Sequence, residues 1–289
     1  MGDVEERSVK LGDIEVTVLE DGVGGRPLML VHGFTGVKED FADELGPLAD
    51  LGYHVVSPDL RGHGQSSRPD TEAEYSLELF ADDVLALADS LGWQQFDLLG
   101  HSMGGMIVQV VVLREPARVS RLILMNTTHE AVSTMDPELA ALGVEMARTE
   151  GLGAIADLLK FFENPDDNPA YHRVCAERDG YLEWSESKAR TPSPVMYAAM
   201  LPTFQSTPDR LPALGELSTP TLVIVGELDR AFVGPSREMA AAIEGAVYAE
   251  IPTAGHCPQF EATEAWRAVL HGFLGPASSL EPDRAADRS

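Results

Sequence analysis

The chain has 289 residues, of which 44% are hydrophobic and 24% charged, a globular composition that excludes a disordered, fibrous or low-complexity protein. Its 47 acidic residues against 21 basic ones give a formal charge of −26, which argues against nucleic acid as a partner because phosphate binding needs a clustered basic face. Cys175 and Cys257 are too far apart to suggest a disulfide framework or a zinc site, and the acidic start Met1-Gly2-Asp3-Val4-Glu5-Glu6 lacks the apolar run of a secretory signal; with no membrane-spanning stretch, the expectation is a cytoplasmic protein without membrane contact.

In chain order, Ile14-Glu15-Val16-Thr17-Val18-Leu19 alternates with a period of two, and Val9-Lys10-Leu11 before Gly12-Asp13 pairs with it as a hairpin. After the turn Asp21 to Gly25, the block Pro27-Leu28-Met29-Leu30-Val31 has no polar face, as expected for a central strand covered on both sides. The pattern then cycles through a helix over 38–50, a strand at His54-Val55-Val56-Ser57, a helix over 77–91, a strand at Phe96-Asp97-Leu98-Leu99, a helix over 103–114 and a strand at Leu122-Ile123-Leu124-Met125. Strands alternating with amphipathic helices imply a mostly parallel sheet, helices on both faces and ligands at the carboxyl ends of the strands. Residues 127–215 break this rhythm. They carry helical patterns, the loop Asn164-Pro165-Asp166-Asp167-Asn168-Pro169 and apolar side chains including Phe161, Phe162, Trp184, Met196, Tyr197, Met200 and Phe204, and they read as an inserted helical cap. The core, 1–126 and 216–275, resumes with a strand at Thr221–Val225, a helix beginning at Pro235, a strand near 246–251 and a helix near 262–274; residues 276–289 read as a frayed tail.

Gly100-His101-Ser102-Met103-Gly104 matches G-x-S-x-G between an apolar strand and a helix, the setting in which a strained turn lifts a serine hydroxyl above the sheet. Such a hydroxyl needs a base and a group that orients the base. In the chain order serine, acid, histidine, Asp229 follows the late strand Thr221–Val225 and His256 follows the last strand. Each residue alone reads as a capping aspartate or a loop histidine; together, at the same end of one sheet as Ser102, they read as a catalytic triad. Glu227 and Asp59 are the rival acids. Oxyanion donors are expected from the backbone N–H of Met103, at a helix N-terminus, and of Phe34, in His32-Gly33-Phe34-Thr35-Gly36. No metal-binding motif, P-loop or dinucleotide fingerprint is present, so neither metal nor cofactor is expected.

His32-Gly33-Phe34, Asp59-Leu60-Arg61-Gly62-His63-Gly64-Gln65-Ser66, Gly100 to Gly105, Gly226-x-x-Asp229 and Gly255-His256 together resemble the α/β-hydrolase family over nearly the whole chain. The resemblance implies the α/β-hydrolase fold with an inserted cap, and serine at 102 separates the chain from the similar haloalkane dehalogenases and epoxide hydrolases, whose nucleophile is an aspartate. The Gly-His-Ser-Met-Gly-Gly form looks most like small-molecule carboxylesterases and enol-lactonases, with ring-cleavage-product hydrolases close behind. A serine hydrolase of an ester or lactone with a largely hydrophobic small-molecule substrate is therefore expected. The alternatives are a carbon–carbon bond hydrolase using the same triad, for which Arg173, Arg178 or Arg190 would meet an acidic substrate, and a ligand receptor without turnover.

Overall fold

The computed structural model describes residues 4–159 and 168–277. Phe161, Phe162, the loop residues 164–167 and the tail beyond 277 lie outside the described residues. The opening hairpin is longer than its apolar alternation suggests: β1 (Glu5–Leu11) pairs antiparallel with β2 (Ile14–Asp21), and Gly12 takes the positive φ of 61° that the tight turn requires. Then come β3 (Arg26–Val31), α1 (Ala42–Asp50), β4 (Tyr53–Pro58), α2 (Leu77–Ser90), β5 (Phe96–His101), α3 (Met103–Arg114) and β6 (Val119–Met125). The helix expected over 38–50 begins as a 3-10 turn at Lys38–Phe41 and continues as α1.

Between β6 and the next strand the chain leaves the sheet and forms α4 (Pro137–Thr149), α5 (Leu152–Leu159), α6 (Pro169–Glu177), α7 (Tyr181–Lys188), α8 (Pro194–Ser206) and α9 (Leu211–Leu214). Their starts are written locally: Asp136, Asn168 and Ser193 accept hydrogen bonds from the first-turn N–H groups of α4, α6 and α8, and a proline follows each. The core returns with β7 (Thr221–Gly226), α10 (Arg230–Ala242), β8 (Val247–Ile251), α11 (Pro258–Glu261) and α12 (Thr263–Leu274). The helix expected to begin at Pro235 instead begins at Arg230, because the Asp229 carbonyl receives the N–H groups of Phe232 and Val233; Pro235 is carried inside it.

The eight strands make one sheet in the order β1-β2-β4-β3-β5-β6-β7-β8. The β1–β2 and β2–β4 pairings are antiparallel and all others parallel. Every residue of β4, β5 and β7 is buried, and alternate residues serve opposite faces. Leu28, Leu30, Leu99, Ile123, Leu222 and Ile224 face α1 and α12, around Leu45, Trp266 and Leu270. Met29, Val31, Leu98, Leu122, Leu124 and Val223 face α2, α3 and α10, around Phe80, Ile107 and Met239. At about 2–3 kcal/mol per fully buried large aliphatic chain, these two layers supply the main drive to fold. Because β4 and β5 flank β3 and the order reverses there, the loops leaving β3 and β5 diverge, opening a crevice at the carboxyl edge.

Candidate active site

Ser102 stands between β5 and α3 with φ 55° and ψ −118°, a conformation that a non-glycine residue adopts only when its surroundings impose it. The restraints are visible. The Ser102 N–H donates to the Met125 carbonyl (2.9 Å), while its own carbonyl accepts from the Thr127 hydroxyl (2.7 Å) and the Met106 N–H (3.2 Å). Neighbouring glycines make room: a Cβ on Gly100 would collide with the Gly104 carbonyl, and one on Gly104 with the carbonyls of Val31 and His32.

His256 lies in the loop after β8, and Asp229 caps α10 after β7, both strands ending on the same edge as β5. The His256 Nδ1–H donates to Asp229 Oδ2 at 2.8 Å, which leaves Nε2 of the neutral ring as its basic nitrogen. The loop reaches the elbow directly: His101, next to Ser102, donates from Nε2 to the His256 carbonyl at 2.8 Å, and the two rings are 4.8 Å apart. Burial holds His101 well below the ordinary histidine range, so it stays neutral and acts as a backbone anchor.

Both rival acids are committed elsewhere. Glu227 accepts from the N–H of Thr253, whose φ is 59°. Asp59 accepts from the backbone N–H of Lys38 (2.8 Å) and of Gln65 (2.9 Å) and from the Lys38 ammonium (3.2 Å), fixing the loop after β4.

Phe34 and Met103 flank the serine from two backbones that touch, since a Cβ on Gly33 would sit 3.1 Å from the Ser102 Cβ. Among the described residues, no carbonyl or side chain takes up the N–H of either. The peptide carrying the Phe34 N–H is held from behind: its carbonyl, that of Gly33, accepts from His32 Nδ1–H (2.8 Å) and from the Gly36 N–H (3.0 Å). His32 Nε2 in turn accepts from the Leu60 N–H at 3.1 Å, which fixes the tautomer. Burial lowers His32 to about 4 and His63, packed edge-on at 4.8 Å, to about 3. The Phe34 side chain stacks on Tyr197 and meets Phe204 edge-on, both from α8, and Phe232 lies 5.1 Å from the His256 ring, so the surroundings are apolar.

Sequence reasoning missed Asn126. This residue, at φ 46° where β6 ends, donates from Nδ2 to both Asp229 Oδ2 (2.6 Å) and the Gly255 carbonyl (3.0 Å), tying acid and histidine loop together. Its one sequence signal is a polar residue ending an apolar strand. His129, Glu130 and Glu238 are the one set among the described residues with metal-ligating atoms within 4.8 Å of one another. The His129 ring nitrogens face Asp209 (2.8 Å) and Glu238 (2.9 Å), so the group ties the exit of β6 to α9 and α10. The cationic side chains offered for an acidic substrate are also engaged. Arg173 donates to the carbonyls of Thr253 and Glu261, Arg178 pairs with Asp43 and Arg190 with Asp157.

Compared with known proteins, residues 26–263 match a family model described as the alpha/beta hydrolase fold. The chain is 29% identical over 276 residues to a 2-hydroxymuconate semialdehyde hydrolase of Pseudomonas putida, covering 91% of this chain and 92% of that protein. It is 33% identical over 127 residues to epoxide hydrolase A of Mycobacterium tuberculosis, a match that spans 44% of this chain and 39% of that protein's length. Among solved structures, the enol-lactonase from Burkholderia xenovorans LB400 superposes with a TM-score of 0.81 at 27% identity, covering 93% of this chain and 99% of that one. Among the described residues no helix is long and apolar enough to cross a membrane.

Proposed function

Because the chain belongs to the α/β-hydrolase fold family, we propose that it is a serine hydrolase cleaving a carboxylic ester or lactone through an acyl-enzyme on Ser102. The observation that carries this reading is the convergence of a strained Ser102 and the His256–Asp229 pair on one sheet edge, joined by the His101–His256 hydrogen bond. In this mechanism His256 Nε2 takes the Ser102 proton as the hydroxyl attacks the carbonyl carbon and then gives it to the leaving oxygen; the same nitrogen later activates water to release the acid. Asp229, steadied by Asn126, keeps the proton of the neutral ring on Nδ1 and stabilises the imidazolium once it forms. The N–H groups of Phe34 and Met103 receive the developing oxyanion, and each such donor is worth about 3–4 kcal/mol of transition-state stabilisation.

The apolar wall of Phe34, Tyr197, Phe204 and Phe232 supports a small to medium, largely hydrophobic substrate. Residues 127–215, read as a cap over the sheet edge, contribute that wall through α8. The engagement of Arg173, Arg178 and Arg190 by protein groups favours an uncharged ester or lactone over a carboxylate-bearing substrate. Similarity to the 2-hydroxymuconate semialdehyde hydrolase over 91% of the chain supports a second reading, carbon–carbon bond hydrolysis by the same three residues. A panel of aryl esters, lactones and ring-cleavage dienoates separates the two. We expect turnover of esters or lactones and covalent labelling by a fluorophosphonate, with Ser102→Ala lowering kcat by about 10⁴-fold or more. Undiminished turnover by the folded variant rules the mechanism out, and an unlabelled wild-type serine supports a receptor instead.

A further inference from the structure

The loop carrying His256 has no regular secondary structure between the end of β8 at Ile251 and the start of α11 at Pro258, yet its base must be held to within a fraction of an ångström. Its carbonyls are held by Asn126 on Gly255 (3.0 Å), by His101 on His256 (2.8 Å) and by the Leu228 N–H on Ala254 (2.8 Å). Two of its N–H groups converge on one carboxylate. One oxygen of Glu261, Oε2, accepts from the Gly255 N–H at 2.6 Å and from the Cys257 N–H at 3.2 Å. These are the N–H groups of the two residues that flank His256. Glu261 is only 7% exposed and ends α11, so a one-turn helix returns its carboxylate beneath the residue that precedes that turn.

We propose that Glu261 is a positioning residue for His256, its carboxylate acting as a two-point clamp on the flanking backbone and as a negative charge held against the histidine loop. The inference rests on the reading of His256 as the base. Convergence of two amides on one oxygen is stronger for a carboxylate than for a neutral acceptor, because the charge assists both bonds. The same charge favours the imidazolium that His256 becomes when it holds the serine proton. Among the described residues, the other titratable and charged groups around this loop are Asp229 and His101 on the imidazole side, Cys257 beside it, Glu227 from the end of β7 on the Thr253 N–H, Tyr181 from α7 near the Cys257 and Glu261 side chains, and Arg173 from α6 on the Thr253 and Glu261 carbonyls. Glu261→Gln keeps the shape and an acceptor oxygen while removing the charge, so it separates the charge and its assistance to both bonds from packing.

The test compares wild type, Glu261→Gln and Glu261→Asp by kinetics and by NMR of the histidine ring, which needs no substrate. For Glu261→Gln we expect kcat lower by about 10- to 100-fold with KM little changed, and fluorophosphonate labelling slowed in parallel. The acid limb of the pH–rate profile moves to lower pH, and the His256 Nδ1–H resonance shifts or broadens as the bond to Asp229 loosens. Glu261→Asp, with its shorter reach, retains the charge and therefore keeps the acid limb near wild type while losing kcat. A folded Glu261→Gln protein with wild-type kcat, pH profile and His256 resonances overturns the proposal. A drop in Tm alone, with those readouts unchanged, also overturns it. If wild type neither turns over esters nor labels, the serine-hydrolase reading fails, and the ring resonances still decide whether Glu261 holds the histidine.

Discussion

The proton of His32 has one place to be: the Leu60 N–H occupies Nε2, so Nδ1 carries the hydrogen and gives it to the Gly33 carbonyl, on the same peptide as the Phe34 N–H. A hydrogen bond into that carbonyl both aims the opposite N–H and polarises it as a donor. His32→Leu is expected to lower kcat by about ten-fold or more while changing KM little, since the Phe34 N–H proposed to receive the oxyanion is displaced rather than deleted; initial rates on an aryl ester measure this. The two buried rings also set a pH dependence. His32 and His63 are depressed to about 4 and about 3 against 6.5 for an exposed histidine, so the unfolded chain takes up protons that the folded one refuses. Their stabilisation is complete above about pH 6.5 and is lost as pH falls toward about 4 for His32 and about 3 for His63. Denaturant midpoints should hold from about pH 7.5 to about 6.5 and then fall toward about pH 4; a profile flat down to about pH 4 would contradict the neutral rings. Ser102, His256 and Asp229 were legible because each sits at a fixed offset from a strand end. Asn126 and the tautomer of His32 were not, because they depend on partners that only the tertiary fold brings near, at Asp229, Gly255 and Leu60.

Among the elements, the strand-to-helix turn at Ser102 is the most tightly specified. The expected helix over 103–114 and the observed α3 coincide because the glycines and the serine fix where the strand must stop. Gly104→Ala would drive a methyl into the carbonyls of Val31 and His32, backbone atoms at the end of a central strand and just beyond it. We expect a loss of about 2 kcal/mol or more, read as a lower Tm, together with slower fluorophosphonate labelling as the elbow relaxes. Other boundaries were less legible for identifiable reasons. The first strand runs back to Glu5 through residues that are mostly exposed, so its alternation carries little apolar signal; it is an edge strand, and its hydrogen bonds to β2 rather than its side chains define it. Pro235 suggested a helix start, yet the Asp229 carbonyl had already begun one, a choice imposed by the return of β7 to the sheet.

For the molecule as a whole, two electrostatic effects oppose one another. Exposed ion pairs such as Arg148–Glu72 and Arg114–Asp82 weaken with salt and contribute little each, because water screens them. An excess of 26 negative charges repels itself throughout the fold, and shortening the screening length from about 30 Å to under 10 Å relieves it. Tm should therefore rise between about 0.01 and 0.15 M sodium chloride; a fall would mean that the ion pairs dominate. The segment after β6 is fastened to the core by a more buried pair, Lys188 of α7 with Asp40 at 2.9 Å, the lysine also lying 4.6 Å over the Trp184 ring. Burial raises Asp40 above the usual aspartate range, with Lys188 opposing that rise. Lys188→Met alone should cost about 3 kcal/mol by stranding the carboxylate, and adding Asp40→Asn should recover part of it, a cycle read by denaturant unfolding. The strands on either side of this long excursion, β6 and β7, are hydrogen-bonded neighbours with Leu122 beside Thr221. Because β6 and β7 are parallel, the chain leaves at the carboxyl edge and re-enters at the amino edge, yet the stem of the excursion closes on itself above the sheet, where the Arg210 N–H donates to the His129 carbonyl at 2.9 Å, and closing a loop costs little more as it lengthens. The sheet is in this respect a socket: foreign helices of quite different length could be spliced in there while Ser102, Asp229 and His256 at the strand ends keep their mutual placement.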